Sequence, residues 1–166
     1  MNASTGSKTM DDNHLAKLVG DELAELRTFV GVLQKEQQAL SEGDIDRLMA
    51  LVADKTSLSS HLGQLAEQRN EMLVAAGFPR DRAGMDGWLT QQTLNAQTTR
   101  SNWQNLLTLA AEARALNETN GTLIGTHLQH NQQALNALLT AGNQAALYGP
   151  DGQTRPSGGG HLFGAA

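Results

Sequence analysis

The chain has 166 residues, of which 39% are apolar and only 4% aromatic, and its formal net charge is -5. It has no cysteine, which excludes disulfides, thiolate metal sites and cysteine nucleophiles. The acidic balance, with no cluster of Lys and Arg along the chain, argues against a phosphate-binding face and hence against nucleic acid as a partner.

Residues 1–10 are small and polar and are expected to be a flexible N-terminus. No apolar run approaches the roughly 18 residues of a membrane-spanning helix. The N-terminus carries Lys8 but no apolar stretch of a secretory signal, and a cytoplasmic location is expected. From Leu15 the apolar residues Leu18, Val19, Leu23, Leu26, Phe29, Val30, Leu33 and Leu40 recur at three- and four-residue steps, one stripe of a helix. Thr9 or Asp11 can cap its start, and Gly43 supplies the left-handed residue that ends such a helix.

Asp44 is the expected cap of a second helix, with the stripe Ile45, Leu48, Met49, Val52, Leu58, Leu62, Leu65, Met72 and Leu73. Gly77-Phe78-Pro79 stops it. Two helices of about 30 residues, each about 45 Å long, joined by a short connection, read as an antiparallel hairpin closed by a coiled-coil-like seam. Residues 80–87 form a connector, and Trp88-Leu89 is expected to start a short helix after Asp86 that plugs one end of the hairpin.

A third long helix is predicted from about Thr98 to Ala141. Its stripe is Trp103, Leu106, Leu107, Ala110, Leu116, Leu123, Ile124, Leu128, Leu135, Leu138 and Leu139. Gly121 and Gly125 lie inside it, each unfavourable by up to about 1 kcal/mol against Ala, so a bend or a close packing is expected there. Gly142-Asn143 is the expected stop. Residues 142–166 contain Pro150, Pro156 and Gly158-Gly159-Gly160 and read as a flexible tail. The fold expected is therefore all-α: a long antiparallel helical hairpin plus a third long helix in a coiled-coil-like bundle, with the helical domain at 11–141.

The sequence shows few of the residue patterns that carry chemistry. Di-iron bundles need Glu-x-x-His pairs on facing helices, and none is present. His127 and His130 share a face but have no carboxylate near them in sequence, which reads as two polar helix positions rather than a metal site. No phosphate loop or nucleophile elbow occurs. His14-Leu15-Ala16-Lys17 matches four positions of a histidine phosphotransfer motif, but Leu18 stands where the motif has Gly, and His14 is expected in a first turn. No catalytic residue, cofactor or metal is expected.

One feature is informative. From Thr119 to Pro150 there is no Asp, Glu, Lys or Arg, while Leu123, Ile124, Leu128, Leu135, Leu138, Leu139 and Leu147 fall in the same stretch. Such a helix is either packed against the hairpin on one face and covered by amides on the other, or it is a docking surface for an amphipathic helix. Both readings produce the same pattern, and both stay open.

Certain short segments carry a resemblance. They are Leu18 to Glu22, Leu40-x-x-Gly43-Asp44 running into Asp46-Arg47-Leu48, Lys55, Asn120-Gly121-Thr122-Leu123-Ile124, and Tyr148-Gly149-Pro150-Asp151-Gly152-Gln153. Over about residues 10–155 the chain resembles the FlgN-type flagellar export chaperones. The resemblance implies a cytoplasmic chaperone without ATPase activity. It implies binding of the amphipathic C-terminal segments of the hook–filament junction proteins and their delivery to the flagellar type III export apparatus. It also puts client binding in the C-terminal helical part, at Asn120, Gly121, Leu123 and Ile124. Stripe geometry extends that surface to Leu128, Leu135, Leu138 and Leu139. A coiled-coil adaptor without a client is the competing expectation for the same fold.

Overall fold

The structure, a computed structural model, describes residues 3–92 and 96–147. It has four helices, α1 (Ala3–Glu42), α2 (Ile45–Ala75), α3 (Arg82–Gln91) and α4 (Ala96–Leu147), and no strand among the described residues. The all-α expectation holds. The chain divides into two units with the boundary between Leu123 and Ile124.

The first unit holds the core. Along α1, Leu15, Val19, Glu22, Leu26, Phe29, Leu33, Glu36 and Leu40 alternate four- and three-residue steps, the spacing of a coiled-coil seam. Along α2 the matching seam is Leu48, Leu51, Lys55, Leu58, Leu62, Leu65, Arg69 and Met72. Burial is deepest at Leu15, Val19, Leu33, Leu73 and Met85, with Trp88 and Trp103 almost fully covered. The core is one cluster drawn from all four helices.

Both hairpin helices end in a Schellman motif. Gly43 has φ 70° and Gly77 φ 84°, a conformation nearly free for Gly and strained for other residues. The Asp44 N–H donates to the Ala39 carbonyl at 2.9 Å and the Phe78 N–H to the Leu73 carbonyl at 2.8 Å. Asp44 then caps α2 by accepting from the Arg47 N–H at 3.0 Å.

Several boundaries differ from the sequence expectation. α1 begins at Ala3 rather than near Thr9 or Asp11, and Asp12 instead accepts from Trp88 Nε1 at 3.1 Å. His14 therefore lies inside α1 rather than in its first turn. α3 starts earlier than expected and is capped by Asp81, whose carboxylate accepts from the Gly84 N–H at 2.8 Å. Asp86, expected as that cap, accepts from Trp103 Nε1 at 3.0 Å. α4 runs through Gly142 and Asn143 to Leu147. One Gly costs a helix only about 1 kcal/mol, which the surrounding Ala, Leu and Gln tolerate. A Cβ at Gly121 or Gly125 would meet nothing within 4 Å, so the close packing expected there is absent. Residues 148–166, expected as a flexible tail, lie outside the described residues.

Candidate functional site

Two polar nodes fix the first unit. In one, Arg69 donates from Nε and NH2 to the two Glu22 carboxylate oxygens at 2.7 and 3.3 Å. Its guanidinium carbon lies 5.1 Å from the Trp103 ring centroid, within reach of a cation–π contact. In the other, Lys55 Nζ donates to both Glu36 oxygens at 2.9 Å. Asn120 Nδ2 donates to Glu36 Oε2 at 2.7 Å and to the Leu33 carbonyl at 2.9 Å. Each node joins α1, α2 and α4.

The nodes share one geometry. Glu22 and Glu36 are two heptads apart on α1, and Lys55 and Arg69 are two heptads apart on α2. A slide of one helix by a single turn separates both pairs at once and leaves four charges in a largely apolar seam. Buried polar groups in such seams specify register. Opposite charges at matched seam positions were legible in the sequence; the apolar stripe count passed over them.

The expected client-binding residues divide. Asn120 is fully buried, and its amide is spent on α1. Its Oδ1 has no hydrogen-bond partner among the described residues. It therefore offers no surface to a partner; its place is in the core of the first unit. Gly121 is exposed and Leu123 half-buried. The charge-free stretch presents two of the expected surfaces in turn: packed against α1 at Asn120, exposed over residues 124–141.

Within the second unit, Ile124, Leu128, Leu135, Leu138 and Leu139 are between 40% and 71% exposed. Steps of three, four and seven residues set them on one stripe of α4, about 22 Å from Ile124 to Leu139. The neighbouring amides bond along the helix, with Gln132 Nε2 donating to Asn136 Oδ1 at 3.2 Å. Among the described residues, no three His, Asp or Glu side chains are grouped as a metal site. No described helix is long and apolar enough to cross a membrane.

This arrangement can bind an apolar helix face. A family model described as FlgN protein matches residues 10–156. The chain belongs to the FlgN family. It is 30% identical over 138 residues to a flagella synthesis protein FlgN of Proteus mirabilis, covering 82% of this chain and 86% of that one. A flagella synthesis protein FlgN of Yersinia enterocolitica is 31% identical over 144 residues, with 82% and 86% covered. That of Escherichia coli K12 is 28% identical over 140 residues, with 84% and 89% covered. A crystal structure described as that of a flagella synthesis protein FlgN from Pseudomonas aeruginosa superposes with a TM-score of 0.62 at 22% identity, over 77% of this chain and 94% of that chain; this likeness is one of fold. Against the FlgN match, the four-position phosphotransfer motif carries no weight: Leu18, where that motif has Gly, is a buried core residue.

Proposed function

We propose that this FlgN-family chain is a flagellar export chaperone acting in the cytoplasm. It binds the amphipathic C-terminal segments of hook–filament junction proteins and delivers them to the flagellar type III export apparatus. It works by binding alone, with no catalytic step. The observation that carries the reading is the exposed stripe Ile124, Leu128, Leu135, Leu138 and Leu139 on a stretch without a charged residue. Interface cores are depleted in charge, whereas free surfaces normally carry it. The names of the flagella synthesis relatives supply the flagellar context.

In this mechanism the client segment folds as a helix on the stripe. Apolar burial at about 25 cal/mol per Å² drives the association, and ordering the segment offsets part of it. The balance favours an affinity moderate enough for release at the export apparatus.

Calorimetric titration with the C-terminal segment of a junction protein, and its N-terminal segment as control, tests the reading. The expected result is one-to-one binding of the C-terminal segment alone, with a negative heat-capacity change. Binding of neither segment removes the chaperone reading and leaves a coiled-coil adaptor in its place.

A further inference from the structure

Asn120-Gly121 is the one Asn-Gly pair in the chain. In such a pair the Gly backbone nitrogen can attack the amide carbon of the Asn side chain, because Gly has no Cβ to crowd the five-membered ring that forms. Packing does not call for glycine at 121, since a Cβ there would meet nothing within 4 Å. Inside α4 the reaction is held shut twice. The Gly121 N–H belongs to the helical ladder, and helical dihedrals keep that nitrogen away from the Asn120 side chain. Asn120 itself is fully buried, and its Nδ2 donates to Glu36 Oε2 at 2.7 Å and to the Leu33 carbonyl at 2.9 Å.

The restraint on this part of the helix is local. The buried residue before Asn120 on α4 is Ala113, two turns back, and residues 121–141 include none. Asn120 is held through Nδ2 alone, since its Oδ1 has no hydrogen-bond partner among the described residues. Gly121 and Gly125 both lower helix propensity. Thr119, Gly121 and Thr122 are exposed, so water reaches the pair once the amide leaves its acceptors. Segments with few buried contacts open locally more often than the whole molecule unfolds.

We infer that Asn120-Gly121 is a self-modification site, kept closed by the Glu36 node and reacting when α4 opens locally. In the open state the Gly121 nitrogen bonds to Asn120 Cγ, and the Cγ–Nδ2 bond breaks. The proton that Gly121 gives up passes through water to the departing ammonia. Water then opens the succinimide at either carbonyl and leaves aspartate or isoaspartate at 120. Neither product restores the node. Aspartate sets a carboxylate against Glu36 where the amide had donated. Isoaspartate adds a carbon to the main chain and interrupts the ladder of α4. Opening thereby becomes irreversible about one turn before the exposed stripe begins at Ile124. The inference does not depend on what that stripe binds.

The test incubates the full chain in mildly alkaline buffer and reads residue 120 by peptide mass spectrometry, with isoaspartate detected by enzymatic methylation. In guanidinium chloride above the unfolding midpoint, Asn120 is expected to deamidate ahead of every other Asn. Gly121→Ala is expected to slow it there by at least about tenfold. In native buffer the parent is expected to react at least about a hundredfold more slowly than in denaturant. Denaturant below the midpoint is expected to raise the native rate before circular dichroism changes, which reads local opening without any substitution. Glu36→Gln, its fold checked by circular dichroism, is expected to raise the native rate by at least about tenfold and to leave the rate in denaturant unchanged. A chain deamidated in denaturant and returned to native buffer is expected to melt at a lower temperature than the parent. The inference is overturned if another Asn reacts first in denaturant, or if native and unfolded rates are equal. A native rate that rises only with global unfolding, indifference to Glu36→Gln, or an unshifted melting midpoint of the deamidated chain also overturns it.

Discussion

Arg69 sits with two hydrogen bonds to Glu22 and the Trp103 ring beneath its guanidinium, at about a tenth of full exposure. Removing one member of a buried pair strands the other, at a cost of about 3–5 kcal/mol. Arg69→Met alone is therefore expected to lower the urea midpoint sharply. Glu22→Leu combined with Arg69→Met removes both charges, and is expected to recover most of the loss. If the double variant is as unstable as the single, the value of Arg69 lies in its contact with Trp103 rather than in its charge. Asn120 obeys a related logic with a different outcome. Its amide N–H groups both face acceptors, the Glu36 carboxylate and the Leu33 carbonyl. Asn120→Asp sets a second carboxylate against the first and is expected to destabilise by at least about 3 kcal/mol in denaturant titration. That expectation separates the buried role the structure gives Asn120 from the client-binding role expected from the sequence, since a purely client-contacting residue would tolerate the change.

Among the helices, glycine has opposite meanings in α3 and α4. A Cβ at Gly84 would lie 1.9 Å from the Pro79 carbonyl oxygen, because the start of α3 rests on the backbone of the turn that follows α2. Gly84→Ala must push α3 off that turn, and with it Trp88 and Met85 out of the core. The expected loss is at or above the upper end of the about 1–3 kcal/mol typical of overpacking. Gly121→Ala and Gly125→Ala meet no neighbour and are expected to stabilise α4 by up to about 1 kcal/mol each, raising the thermal midpoint. Helix existence, the hairpin and its Gly43 and Gly77 stops were legible, because periodicity and left-handed caps are local signals. What was not legible was which side of a doubly apolar helix is covered. Ile45, Met49 and Val52 have the same composition and spacing as an inner seam, and only the third dimension turns them outward. The cap of α3 was misplaced for a similar reason. Asp81 and Asp86 are equally good caps in sequence, and tertiary hydrogen bonding to Trp103 decides between them.

Across the whole molecule, charge and apolar surface are distributed unevenly in a way that bears on function. The first unit pairs the charges within its seams and buries large apolar residues on all four helices. Residues 124–141 of the second unit include neither a charged residue nor a buried one. Over residues 124–141 the exposed stripe supplies the large apolar side chains open to a client, so its substitutions separate binding from folding. Leu138 is 71% exposed, and replacing an exposed leucine removes little buried area, so stability changes by no more than about 0.5 kcal/mol. Leu135→Asp and Leu138→Asp are each expected to keep the helical circular dichroism and thermal midpoint of the parent. Each is also expected to weaken binding of the junction-protein C-terminal segment by about tenfold or more, since a carboxylate carried into an apolar interface loses its water without gaining a partner. The paired readout is what gives the experiment its force. Weakened binding with intact helicity assigns the stripe to the client. A variant that instead melts the protein makes Leu135 and Leu138 core residues and moves the client surface elsewhere. Unchanged binding in both variants separates the stripe from the client and leaves the flagellar role to be carried by the first unit.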